Sequence, residues 1–385
     1  MNSRAVLIIA VALLALLPGS ASPQHVQLNG MVSLLGSGRL ESRVEPAITA
    51  RFLPELKLTL GSGRGITVDA EASANLFGTA SWPSGQSAQT SGDVKPYRGW
   101  LRFSTAHVEA RVGLQKVSFG SATLFRPMMW FDSLDPRDPL QLTDGVYALL
   151  LRYFTESNAS FAAWTMYGND AKRGWDMAAP DKKTPEFGGR VQVPLSRGEL
   201  GVAYHRRKAV VDTLARTTGL PIPTDLPPVP EERFGFDGKW DLGVGVWVEG
   251  TLVHQKTTLL TRPYQVALNV GADYTFGVGN GLTTTAEFFR LDSRAHAFTR
   301  GDGLSWSALL LRYPMGILDE LTGIFYFDWK NRNAYRFVTW KRTYDTLSLN
   351  VILFWNPGEF LVFDGQSGTS SYAGKGFQFL LARHF

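Results

Sequence analysis

Apolar and polar residues alternate along most of this chain, and a period of two fits only extended strands whose two faces meet different surroundings. Residues 66–76 put Ile66, Val68, Ala70, Ala72, Ala74 and Leu76 on one side, with Thr67, Asp69, Glu71, Ser73 and Asn75 opposite. Residues 264–276 repeat the scheme: Tyr264, Val266, Leu268, Val270, Ala272, Tyr274 and Phe276 alternate with a face holding Gln265, Asn269, Asp273 and Thr275. Aromatics at both ends of an apolar stripe match the two interfaces of a bilayer. The sequence stops on the same pattern at 374–385 (GKGFQFLLARHF), with Phe377, Phe379, Leu381 and Phe385 on one face, Gln378 and His384 on the other, and Arg383 out of pattern. A chain end in water usually frays, so an aromatic there points to a strand held in lipid.

Such segments number about 18, with 16 the alternative. They fall near residues 25–35, 45–60, 65–76, 96–104, 107–116, 144–154, 159–168, 186–194, 198–207, 233–240, 244–254, 264–276, 281–290, 305–313, 318–328, 334–341, 344–355 and 375–385. The connectors alternate in length. GSGRG, Thr105 with Ala106, TESN, SRG, DLG, GVGN and PMGI are short, whereas 77–95, 117–143, 168–185, 208–232, 291–304 and 356–374 are long. Tight periplasmic turns and long outer loops give that rhythm in an up-and-down antiparallel transmembrane β-barrel, the all-β fold expected here. The Pro-rich run at 217–232 reads as an outer loop stiffened toward polyproline II.

Residues 1–21 read as a secretory signal peptide. Arg4 is the positive start, Ala5 to Leu17 the apolar stretch, and Pro18 to Ala21 the small-residue site cut after Ala21. Residues 22–385 form the barrel. No apolar run reaches the roughly 20 residues of a spanning helix, so the expected location is the bacterial outer membrane. With no cysteine there are no disulfides and no thiolate chemistry. The 24 Phe, 12 Tyr and 11 Trp suit interfacial girdles, and a net charge of +5 without a basic cluster argues against a nucleic-acid partner.

With lipid outside, the polar face lines the lumen. Strand three then offers Asp69 and Glu71, strand four Arg98 and Arg102, and strand five Glu109 and Arg111. Arg152, Arg190, Lys239 and Arg336 are further inward basic candidates, with Asp237, Glu249, Asp273 and Glu287 on the acidic side. These groups either pair across strands and keep the wall wet, or leave arginines free to attract carboxylates and phosphates. Arg206, Arg207 and Lys208 would extend the field to the mouth. The six histidines show no metal-ligand spacing, and no hydrolase or phosphate-loop motif appears. No enzyme, cofactor or metal is expected.

Residues 113–139, GLQKVSFGSATLFRPMMWFDSLDPRDP, leave strand five for a long loop rich in Pro and Asp. Phe125, Trp130 and Phe131 on that loop read as an inward-folding constriction, as a rim platform for sugar rings, or as a structural cap. The segment resembles the alginate-export family of outer-membrane barrels and its capsule-assembly relatives, with Gly113, Gln115, Lys116, Phe119, Gly120, Phe125, Pro127, Phe131, Asp135, Pro136, Asp138 and Pro139 matching in place or in kind. Leu114, Phe119 and Arg126 depart from the family's usual arginine, tryptophan and asparagine. The resemblance implies an 18-stranded barrel exporting an anionic exopolysaccharide through an arginine-lined pore. The expectation is a porin-like channel for polar, anionic solute or an alginate-like polymer. The rival is a plugged barrel that anchors surface polysaccharide. Expected partners are outer-membrane lipid, that solute or polymer, and the barrel-assembly machinery.

Overall fold

The computed structural model describes residues 25–40, 44–62, 65–210, 227–358 and 372–385. The signal-peptide reading, and most of the Pro-rich run, lie outside the described residues. Eighteen strands follow in chain order: β1 (His25–Leu40), β2 (Val44–Ser62), β3 (Ile66–Ser81), β4 (Gln89–Ser104), β5 (Val108–Gln115), β6 (Val146–Phe154), β7 (Ser160–Met166), β8 (Glu186–Leu195) and β9 (Gly198–Ala209). The second half comprises β10 (Val229–Asp241), β11 (Gly245–Gln255), β12 (Tyr264–Phe276), β13 (Leu282–Arg294), β14 (Asp302–Pro314), β15 (Asp319–Asp328), β16 (Asn333–Thr343), β17 (Leu347–Trp355) and β18 (Lys375–His384). No helix occurs among the described residues.

Every strand pairs antiparallel with its sequence neighbours, and β1 pairs with β18 from Met31 opposite His384 to Arg39 opposite Gly376, so the sheet closes on itself. Closure is what lipid demands, because an open edge would leave backbone N–H and C=O groups without partners. At the seam, Phe385 exchanges backbone hydrogen bonds with Gly30 at 3.0 and 3.1 Å. Its ring stacks on Phe52 of β2 and lies over Gly30, where any Cβ would overlap it.

The alternation read from sequence is the barrel's inside and outside. On β12, Leu268, Val270 and Tyr274 are exposed outward while Gln265, Ala267 and Asn269 are buried inward. Strands β3 and β4 run beyond the alternating core, so the connector expected at 77–95 shrinks to 82–88. That at 291–304 likewise shrinks to 295–301. Both faces of such a hairpin extension meet water, so the apolar stripe that marks a strand disappears there. Val229 to Glu232, taken with the Pro-rich loop, instead begin β10.

One side of the lumen is apolar. From β13 to β17, Phe289, Trp306, Leu310, Tyr326, Phe337 and Phe354 face inward and form one buried cluster with Leu124 and Phe125 of the connector between β5 and β6. Equating aromatic faces with lipid therefore misplaces Arg336. Tyr335 and Phe337 on either side of it are buried inside, so Arg336 points outward. Arg206 and Lys208 point outward for the same reason, since His205, Arg207 and Ala209 hold the inner face of β9.

Candidate functional site

The connector 116–145 does not cap the mouth; it folds into the lumen and crosses to the far wall. Carboxylates on that wall receive its backbone. Glu249 of β11 accepts the amides of Ala122 and Met128 at 2.8 and 2.6 Å. Glu287 of β13 accepts those of Thr123, Leu124 and Phe125 at 2.7, 3.0 and 3.0 Å, plus Asn269 Nδ2 at 2.8 Å. Asp237 of β10 accepts Ser121 Oγ at 3.1 Å and is paired with Arg190 at 2.5 Å. A run of amides converging on an anion satisfies both sides of a contact that burial would otherwise make costly. Asp237, Glu249 and Glu287 face inward as the alternation implied, yet they bind protein rather than solute.

The rest of the loop is braced in the same way. Arg126, in left-handed backbone at φ 41°, forks onto both Asp132 oxygens at 2.7 and 2.9 Å. Burial works against that guanidinium's charge, and Asp132, with Glu249 and Glu287 nearby, more than offsets it, so its pKa rises. Phe125 stacks on Phe289 at 5.0 Å, and Trp130 and Phe131 pack with Trp164 and Val146. All three rings are buried, which removes the rim platform for sugars. The connector 167–185 enters beside it. Trp175 Nε1 donates to Phe125 O at 2.6 Å, and Asp176 pairs with Arg207 and Arg233 at 3.0 and 2.7 Å. Arg207 is thus spent inside the wall and adds no field at the mouth. The pair Arg233 and Glu231, and the buried His205 and Glu186 at 3.1 Å, were not singled out in the sequence. The odd-position charges of VPEERFGFDGKW are the signal that could have found the first.

A basic flank remains beneath the loop. A bulge at Tyr97 breaks the register between β3 and β4. Arg98 lies 3.9 Å over the Tyr97 ring and donates to Thr143 O of the loop at 3.0 Å. Arg102 lies opposite both Asp69 and Arg111, and Glu109 lies opposite Arg152. Arg102 pairs with Asp69 at 2.6 Å, while Glu109 is shared by Arg102, Arg111 and Arg152 at 3.8, 3.3 and 3.4 Å. Three guanidiniums thus meet two carboxylates. Arg102 and Arg152 keep 32% and 29% of their side chains exposed. Glu71, half-buried, lies opposite Trp100 on the same wall. Arg111 sits 4.7 Å from the Trp100 ring centre. Lys239 lies apart, 3.8 Å from Asp273 beside a cavity of about 570 Å³ at the short-turn end. Among the described residues no cluster of His, Asp and Glu could hold a metal.

No known family model and no curated protein sequence matches the chain. Solved structures share its fold. Pseudomonas aeruginosa OccK5 (OpdH) aligns over 95% of this chain and 99% of its own, with a TM-score of 0.58 and 11% identity. OccK7 (OpdD) of the same organism aligns over 94% and 99%, with a TM-score of 0.57 and 9% identity. An anion-selective porin from Comamonas acidovorans aligns over 94% and 99%, with a TM-score of 0.49 and 12% identity. At these identities the likeness is one of fold. The protein has the porin-like channel fold of the bacterial outer membrane, and none of these structures points to alginate export in particular.

Proposed function

We propose that the protein is a passive outer-membrane channel for anionic solutes bearing carboxylate or phosphate groups. The observation that carries this reading is the wall of β3 to β6, where Arg102, Arg111 and Arg152 share Asp69 and Glu109, with Arg102 and Arg152 open to water. With Arg98 and Glu71 on the same wall, four guanidiniums face three carboxylates, and one uncompensated positive charge in a low-dielectric passage favours anions and their oxyanion groups. Arg98 continues this wall upward to the underside of the loop, where it is buried against Thr143 O, so a uronate chain or a smaller organic anion meets the guanidiniums of Arg102 and Arg152. Because the loop touches wall on several sides, a second reading is a plugged barrel that holds surface polysaccharide, and planar bilayers separate the two.

Reversal potential across a salt gradient is the test. Wild type should prefer anions, most strongly at low salt, where the Debye length exceeds about 10 Å. Replacing Arg102 and Arg152 with serine leaves Arg111 against two carboxylates and should shift the reversal potential toward cations. Cation preference in the wild type, or no shift in the double variant, overturns the assignment. Persistent absence of conductance favours the plugged barrel.

A further inference from the structure

The outer face of the barrel carries an apolar groove bordered by a charged cluster. Val202, Phe234, Phe236, Leu252, Val266 and Leu268 project outward from β9 to β12 and line this groove of about 400 Å³. Phe298, on the connector 295–301, overhangs it and is 97% exposed. The groove lies toward the long-loop end of the barrel, since Val266 and Leu252 sit within four residues of the outer ends of β12 and β11.

Beside it, β13 breaks the lipid-facing pattern. Ala286 and Phe288 are exposed and apolar, but the next three outward positions are Arg290, Asp292 and Arg294. Asp292 is 2% exposed. It accepts Arg290 Nε at 3.1 Å and Arg294 Nη2 at 2.8 Å. Gly303 of β14 lies opposite it, and a Cβ there would collide with the Asp292 carboxylate. The carboxylate is therefore sealed between strands as a brace for two guanidiniums. Two cations against one anion leave a net positive charge at the groove's edge, and Arg290 keeps 43% of its side chain exposed.

A guanidinium on the lipid face is costly at mid-bilayer and costs little at the interface. The cluster thus belongs at the height of outer-leaflet headgroups, and the groove, whose Leu268 and Val266 pair with Arg290 and Asp292, runs from it across β12 to β9 along the boundary between headgroups and acyl chains. We infer that this face binds a phosphorylated, multiply acylated glycolipid of the outer leaflet. Its phosphate would sit on Arg290 and Arg294, and one acyl chain would lie in the groove under Phe298. Guanidinium forks match phosphate oxygens in pairs, and each methylene buried in the groove strengthens binding.

The test uses full-length barrel refolded in detergent free of endogenous lipid. Purified lipid A is titrated while complexes are counted by native mass spectrometry. One lipid A per barrel is expected, with phosphatidylglycerol at least tenfold weaker and inorganic phosphate unable to compete at millimolar concentration. The R290Q/R294Q variant should weaken lipid A binding at least tenfold. F298D, on an exposed loop where the barrel itself is untouched, should weaken it several-fold with heat-modifiable mobility and conductance unchanged. Undiminished lipid A binding by both variants overturns the site. Equal binding of phosphatidylglycerol, or a barrel that pairs with a second copy through this face, also overturns the proposal.

Discussion

Glu287 collects four donors: three consecutive loop amides and the Asn269 side chain. A hydrogen bond to a charged acceptor contributes about 1.5 to 3 kcal/mol, and its loss leaves buried donors unpaired. Replacing Glu287 with alanine should therefore cost on the order of 3 kcal/mol or more and expose residues 116–145 to protease, while glutamine, which keeps a carbonyl acceptor, should cost about half. Thermal melting and limited proteolysis read this directly. An unchanged Tm with a protease-resistant loop in E287A would show that the carboxylate is not the anchor. The inward direction of Glu249 and Glu287 was legible from alternation, but their role was not. Their partner amides lie more than a hundred residues away, and nothing local distinguishes a carboxylate facing water from one facing backbone. Arg336 failed differently, because the rule that aromatic neighbours mark lipid breaks down where a folded-in loop gives the lumen an apolar core.

At the scale of elements, strand positions were legible and the fate of the long connector was not. The periodicity of β12 gave its ends to the residue. Residues 116–145 carry no periodicity, and their inward course depends on a wall assembled from many strands. Within this loop, Asp138 accepts the amides of Leu140 and Leu142 at 2.9 and 3.3 Å. Burial nevertheless pushes its carboxyl pKa up. A carboxyl raised in the folded state binds its proton more tightly there than in the unfolded chain. Its contribution is thus fully present below the unfolded value of about 3.9 and falls as pH rises through the folded value. Asparagine keeps the acceptor and removes the ionisation. Melting of D138N and wild type should coincide near pH 3 (about one unit below that reference), and D138N should melt higher at neutral pH. A gap that is constant with pH, or one favouring wild type at neutral pH, would contradict the assignment.

For the whole molecule, closure depends on one seam, and its requirements are concentrated in few atoms. The β1 and β18 pairing is extended by the reciprocal backbone bonds between Phe385 and Gly30. The Phe385 ring covers Gly30 and reaches Phe52 across β1. Apolar cover there keeps lipid against a continuous surface while the last hydrogen bonds form. Deleting Phe385 should lower heat-modifiable barrel in outer membranes several-fold while synthesis and export continue, so that precursor accumulates in the periplasm. Replacing Gly30 with leucine should have a similar effect in the intact chain, because the new side chain occupies the space of the ring. Combining both changes should restore part of the yield, since leucine then supplies the missing cover. Immunoblots of fractionated membranes, with and without heating, distinguish these outcomes. Wild-type barrel levels after deletion, or a double variant worse than either single one, would mean that the ring over Gly30 does not govern closure.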